Sequence, residues 1–253
     1  MPFDAPSHPP DAAGLLAAEC GHLRADALVA ALASRRAGRV VLVSSFGADS
    51  AVLLAMVAAA DRAMPVLFLD TGFLFAETRA HREALVGQLG LTGVRAIGPD
   101  AAAVASADPG EALWYADPDA CCALRKVAPL ARALAPFDVV LTGRRRHQAA
   151  TRAAMPRFER DLTDAAGMRV KVNPLADWSP EEVAARLRAL GLPPHPLVAQ
   201  GFPSIGCIPC TTRVRPGEDA RAGRWRGRAK TECGIHAAAP ADQGPASGAR
   251  SAP

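Results

Sequence analysis

Cys233 sits in Lys230-Thr-Glu-Cys233-Gly-Ile-His236, with Arg221 and Arg224 shortly before it. A single cysteine followed by glycine in a basic, weakly apolar segment is poorly suited to core packing and well suited to reactivity. Nearby Arg, Lys and His side chains favour the thiolate, which is the nucleophile. A second thiol pattern is Cys207-Ile-Pro-Cys210, whose C-x-x-C spacing lets both sulfurs reach one metal centre. The adjacent pair Cys121-Cys122 is its partner. Cys20 lies alone in an Ala/Leu-rich stretch and reads as a small buried hydrophobe, and Cys233 has a different context. Four thiolates suit a [4Fe–4S] cluster. Structural zinc stays open, although zinc ribbons favour two C-x-x-C knuckles over adjacent cysteines. Disulfides fit less well in a chain that begins without a secretory signal.

Other residues point to an anionic ligand. Val40-Val-Leu-Val43 reads as a buried strand, Ser44, Ser45 and Gly47 as a small-residue loop, and Asp49-Ser50 as the opening of a helix. Strand, small loop and helix start form an anion site, or else an ordinary turn with a Ser/Asp cap. The Gly-Lys-Ser/Thr ending of a Walker loop is missing. Asp70-Thr71-Gly72 follows a second strand, at the strand end where open α/β sheets bind ligands, or caps the next helix. Arg144, Arg145, Arg146, His147 and Arg152 follow a further strand. They are either a solvated basic face or guanidinium forks for phosphate and sulfate oxygens.

The elements that must position these groups alternate. Strands are expected near 40–43, 64–69, 93–97, 137–141 and 169–173, with helices between them. Residues 100–119 read as a loop with short helical turns, and Asp119 as the cap of the helix that opens at Cys121. Ser179, Pro180 and Glu182 spell a capping box for a helix that ends at Gly191. The fold expected is α/β, a doubly wound, mainly parallel sheet of about five strands. Residues 1–13 read as a disordered N-terminus and 14–206 as the nucleotide-binding domain carrying Cys121-Cys122. Residues 207–236 read as the Cys-x-x-Cys segment and a mobile catalytic tail, and 237–253 as a disordered C-terminus rich in Ala, Pro, Gly and Ser. The 253 residues, half of them apolar, suffice for a sizeable core, and the net charge of +4 does not by itself argue for nucleic acid. No apolar run approaches ~18 residues, so no membrane span is expected. The cytoplasm is the expected compartment.

Ser45-Phe46-Gly47-Ala48-Asp49-Ser50 resembles the Ser-x-Gly-x-Asp-Ser loop of the PP-loop superfamily, whose fold is adenine nucleotide alpha-hydrolase-like. Together with Cys121-Cys122, Cys207-x-x-Cys210, the Arg-rich segment and Glu232-Cys233-Gly-Ile-His236, it resembles the thioredoxin-dependent assimilatory adenylyl-sulfate (APS) reductases. The likeness spans roughly residues 40–236. It implies a [4Fe–4S] cluster, one per chain, on Cys121, Cys122, Cys207 and Cys210, and APS rather than its 3′-phosphorylated form, PAPS. It implies that Ser44, Ser45, Gly47, Asp49, Ser50, Asp70, Thr71 and Gly72 hold the adenosine phosphate. Arg144, Arg145, Arg152, Arg221, Arg224 and His236 also serve the substrate, and Lys126 lies between cluster and substrate. Cys233 would attack sulfur, giving S-sulfocysteine and AMP, and thioredoxin (or glutaredoxin) would release sulfite. Two departures are visible: Phe73 and Phe75 stand where the family carries a basic residue or His, and Arg226-Gly227 where a further Trp is usual.

Two other readings remain at this point. One is a PP-loop ATP pyrophosphatase of the RNA-thiolating kind, against which the Glu-Cys-Gly-Ile-His ending argues. The other is a metal-binding module with a basic tail for nucleic acid, which lacks the interleaved aromatics that stack on bases. APS as substrate, no nucleic acid and no membrane are the expected partnerships; the oligomeric state is open.

Overall fold

The computed structural model describes residues 11–164 and 166–236. The disorder expected of residues 1–10 and 237–253 lies outside them. Two N-terminal helices, α1 (Ala12–Cys20) and α2 (Ala25–Arg35), lead into the sheet. The first starts earlier than residue 14 because the Asp11 carboxylate accepts a hydrogen bond from Gly14 N–H at 2.9 Å, an N-cap that the sequence reading passed over.

The strands are β1 (Val40–Ser44), β2 (Val66–Leu69), β3 (Val94–Ile97), β4 (Val139–Thr142), β5 (Phe158–Arg160) and β6 (Val170–Val172), in the sheet order β3-β2-β1-β4-β6-β5. All pairings are parallel except β5 with β6. The expected parallel strands are all present, and β5 is the addition. It is a three-residue edge strand with charged Glu159 and Arg160, too short and too polar to show a strand pattern.

Alternation along the strands builds two cores. Val40, Leu42, Val66, Phe68, Val139 and Leu141 face a large core closed by α1, α2, α3 (Ser50–Ala60), α4 (Ala76–Leu89) and α9 (Pro180–Ala189). Val41, Leu67 and Val140 face a smaller one, closed by Leu130 and Leu134 together with the partly buried Ile235. The tail thus packs against the sheet. Ser179 and Glu182 form the expected capping box of α9, with Ser179 Oγ accepting from Glu182 N–H at 3.2 Å.

Between β3 and β4 lie α5 (Ala101–Ala107), α6 (Leu113–Ala116), α7 (Pro118–Cys122) and α8 (Ala128–Leu134). The cap of α7 is Asp117, with Pro118 at the first position; Asp119, the expected cap, is already helical. A π-helical turn over Ala123–Val127 joins α7 to α8, with Ala128 N–H donating to the Ala123 carbonyl. Pro129 follows it directly. Proline has no N–H, and its ring crowds the carbonyl four residues back, so the wider turn suits this position.

Candidate active site

The order β2-β1-β4 places the carboxyl ends of β1 and β4 side by side while their connections leave in opposite directions, and a crevice forms there. Its floor is the loop after β1. Ser44 Oγ accepts from Phe46 N–H at 3.2 Å and Ser45 Oγ from Gly47 N–H at 3.3 Å. Phe46 adopts φ 49°, unusual for a bulky side chain, and its fully buried ring meets Phe68 edge-on at 5.4 Å. That anchor fixes the turn between the serines and the helix start. Asp49 stands at the N-cap of α3 without a side-chain capping bond, and pairs with Arg145 instead.

A cavity of about 250 Å³ opens over this loop. Ser44, Ser45, Gly47, Asp49 and Ser50 line it, with Thr71 from the end of β2. Lys126, Arg144 and Arg152 enter from one side; Arg221, Arg224, Cys233 and His236 enter from the tail. Five cationic side chains therefore face two carboxylates, Asp49 and Glu232. Three expected ligand residues lie elsewhere. Asp70 accepts from Gly72 N–H at 3.1 Å and from Arg79 at 3.2 Å, which makes it and Gly72 a turn behind the wall. Arg145 is buried and does not line the cavity; it pairs with Asp49, which does.

The wall residues are heavily cross-linked. Arg152 donates through Nε and Nη2 to the two Glu232 oxygens, both at 2.8 Å, and through Nη1 to Gln148 Oε1 at 2.7 Å. Arg221 Nη2 reaches Glu232 at 3.2 Å and the Thr231 carbonyl at 2.7 Å. Burial favours the neutral acid of Glu232, but the hydrogen bond from Arg152 and the charge of Arg221 hold it below the ordinary carboxylate range. Arg144 is pulled down to about 10, by burial first and by Arg152 second. Arg224 lies over the buried Trp225 ring at 4.5 Å. It passes so close to Gly206 that a Cβ there would come within 2.2 Å of its guanidinium and would displace it.

His236 does not add the positive charge expected of it. Burial, then Arg144, Lys171 and Arg152, holds it well below the usual imidazole range, so it is neutral at pH 7. The charges felt with Cys233 are those of Lys126 and Arg221. Burial opposes the charge on Lys126, yet Cys207, Cys233 and Cys122 together raise its pKa.

Beneath this cavity is a smaller one, lined by all four paired cysteines, Cys121, Cys122, Cys207 and Cys210. Thr71, Lys126 and Cys207 line both, so one thin partition separates them. Burial, with the neighbouring thiols, pushes Cys121 up to about 11; burial pushes Cys122 equally far. The C-x-x-C segment is stitched to the stretch after β2 and to the tail: Ile208 N–H donates to the Phe73 carbonyl at 2.8 Å, and Trp225 N–H to the Cys210 carbonyl at 3.2 Å. Behind it, the buried Arg125 pairs with the buried Asp108 at 2.7 Å, donates to the Thr71 carbonyl at 3.1 Å and lies over Phe73 at 4.2 Å. Phe75 packs on Phe202 at 5.8 Å. The two aromatics at the departure positions are thus framework. Among the described residues, no group of three or more His, Cys, Asp or Glu side chains is arranged to hold a single metal ion.

Sequence reasoning gave no role to Glu232, Gln148 or Arg125, although all three lie in or beside motifs it quoted. Their signal, a charged or amide side chain inside a motif assigned to its neighbours, needs the partner's position to be read.

A mostly parallel sheet with a small-residue anion loop at its switch point defines a PP-loop nucleotide-binding protein. The profile of the phosphoadenosine phosphosulfate reductase domain matches residues 39–213, and the chain belongs to that family. A relative from Mesorhizobium japonicum, named adenosine 5′-phosphosulfate reductase, is 56% identical over 78% of this chain and 76% of its own. One from Gloeobacter violaceus, named phosphoadenosine 5′-phosphosulfate reductase, is 42% identical over 88% of this chain and 92% of its own. A solved Candida auris phosphoadenylyl-sulfate reductase, at 24% identity, shares the fold with a TM-score of 0.67, covering 83% of this chain and 100% of that one.

Proposed function

We propose that this chain reduces adenosine 5′-phosphosulfate to sulfite and AMP, with thioredoxin as electron donor, in sulfate assimilation toward cysteine. The observation that carries the reading is a thiol, Cys233, facing a strongly cationic cavity at the nucleotide-binding edge of the sheet. Relatives named for the same reaction on APS support it.

In this reading the loop from Ser44 to Ser50 and Thr71 hold the adenosine phosphate. Arg144, Arg152, Arg221, Arg224 and Lys126 offset the charge on the sulfuryl oxygens and on the departing phosphate. The Cys233 thiolate attacks the sulfate sulfur. A sulfur–sulfur bond forms, the bond from that sulfur to the bridging oxygen breaks, and its electron pair leaves with AMP. One thioredoxin thiolate then attacks the Cys233 sulfur and displaces sulfite; the second thioredoxin thiol resolves the mixed disulfide and frees Cys233. The two electrons come from the dithiol. All six cysteines are free, which fits a reducing compartment, the cytoplasm.

Cys121, Cys122, Cys207 and Cys210 would hold one [4Fe–4S] cluster. The donor set fits: four thiols, three of them buried, line one cavity, with Lys126 and Arg125 alongside to balance a thiolate-bound anionic centre. Such a cluster supplies fixed charge and a structural clasp rather than electrons. Iron and zinc analysis of anaerobically purified protein separates it from structural zinc.

The test is thioredoxin-dependent sulfite release from APS and PAPS in parallel. Strong preference for APS is expected. Equal or better use of PAPS overturns the substrate, and no sulfite from either overturns the reaction.

A further inference from the structure

Arg152 and Arg221 are the cations that a phosphosulfate would be expected to engage, yet both are already occupied by a carboxylate of the tail. The two Glu232 oxygens take the Nε–Nη2 fork of Arg152, at 2.8 Å each, and one of them also takes Arg221 Nη2 at 3.2 Å. A carboxylate offers a guanidinium the same pair of oxygens that a sulfate or phosphate does. The remaining terminal nitrogen of Arg152 is committed to Gln148. One fork cannot hold Glu232 and an incoming anion in the same geometry.

Glu232 is also the residue directly before Cys233. It reaches Arg152, 80 positions away on the body of the fold, and Arg221, 11 positions away within the C-terminal segment. The carboxylate therefore joins body and tail at the reactive residue. Other attachments of the last residues include the bond from Arg221 to the Thr231 carbonyl, the burial of His236 among Arg144, Lys171 and Arg152, the apolar seat of Ile235 and the contact of Lys230 with Asp119.

We infer that Glu232 is a positioning residue, a carboxylate latch that holds the Cys233 segment on Arg152 and Arg221 in the absence of substrate and gives these arginines up to the substrate's anion. Binding the anion and unfastening the tail are then one exchange. The anion takes the fork, and the freed segment regains the reach that Cys233 needs, first to attack and then to present its sulfur to a reductant. The inference rests on the proposed reading for the identity of the anion, but not for the existence of the latch.

The test compares the wild-type holoenzyme with Glu232→Gln, which keeps the shape and removes the charge. Alkylation of Cys233 by iodoacetamide is followed by peptide mass spectrometry without nucleotide. It is expected to be about tenfold faster in Glu232→Gln, since a charge-assisted two-point contact is lost; equal rates overturn the latch. Calorimetric binding of AMP is expected to tighten severalfold in Glu232→Gln, while adenosine, which lacks the anion, binds both proteins alike. AMP binding that is unchanged or weaker overturns the exchange, and so does an equal gain for adenosine. Glu232→Asp, with its shorter reach, is expected to fall between the two in alkylation rate. With APS, Glu232→Gln should lower KM without lowering kcat, whereas a purely structural role would lower kcat. Failure of the wild type to make sulfite would end the reductase reading and leave the alkylation result standing.

Discussion

Thr71 Oγ1 lies 3.2 Å from Cys207 Sγ, across 136 residues of chain. The hydroxyl also accepts from Phe73 N–H at 3.3 Å, so its direction is fixed by the turn after β2. The nucleotide wall and the cysteine cavity thus share one side chain. Thr71→Val keeps the volume and deletes the hydroxyl. We expect it to retain iron when purified anaerobically but to lose it to a chelator roughly fivefold faster, as one lost hydrogen bond of ~1 kcal/mol implies. Unchanged lability would show that the bond does not support the thiolate.

The two proposed thiol roles are separable. Cys207→Ser should lose iron. Cys233→Ser should keep a full complement and yet release no sulfite. Iron loss in Cys233→Ser would place that sulfur among the ligands, and a fully loaded Cys207→Ser would remove the cluster assignment.

Arg125 is the hidden support of the partition. Its guanidinium and Asp108 are both nearly inaccessible, with side-chain exposures of 4% and 2%. Arg125→Met leaves the carboxylate buried without its partner, which costs about 3–5 kcal/mol. Arg125→Met with Asp108→Asn should recover part of that loss. Urea unfolding of the three proteins measures it; full additivity of the two changes would contradict a direct pair.

How much of this was legible in the sequence depended on whether a signal was local. Strands such as Val40–Ser44 and Val139–Thr142 announce themselves because both faces are buried and the run is continuously apolar. The cysteine pairs and the serine loop are likewise legible, since their spacing alone carries the chemistry. Asp70 misled because its position after a strand is right while its oxygens turn away, to Gly72 and Arg79. Arg145 misled in the same way: clustered arginines look alike in sequence, and only packing separates Arg152 in the cavity from Arg145 outside it. That His236 is uncharged follows from burial among Arg144, Lys171 and Arg152, a tertiary fact.

The histidine pair beside the cavity predicts acid sensitivity. His195 accepts from Leu197 N–H at Nδ1, 3.2 Å, so Nε2 carries the proton and faces Thr78 Oγ1 at 3.1 Å. Burial, and then His81, whose ring lies tilted with its centre 4.8 Å away, pulls its pKa down to about 4. The unfolded chain takes up a proton near pH 6.5 and the folded one resists until about 4. Stability should therefore fall as the pH drops through that window, by at most about 3 kcal/mol from this residue. His195→Asn should flatten the slope between those limits in pH-dependent urea unfolding, and an unaltered slope would assign the sensitivity elsewhere.

The position of the cysteines along the chain has a consequence for biosynthesis. The sheet is complete at Val172, while Cys207, Cys210, Arg221 and Cys233 are translated afterwards. The layered body can close around Cys121 and Cys122 while their partner thiols are still to be made. During that interval two neighbouring thiols stand without the rest of their set, exposed to oxidants and to the wrong metal. Loading the proposed cluster would thus be an event of the finished polypeptide, and a chain cut short before its last segment would keep the crevice without the thiol proposed to react in it.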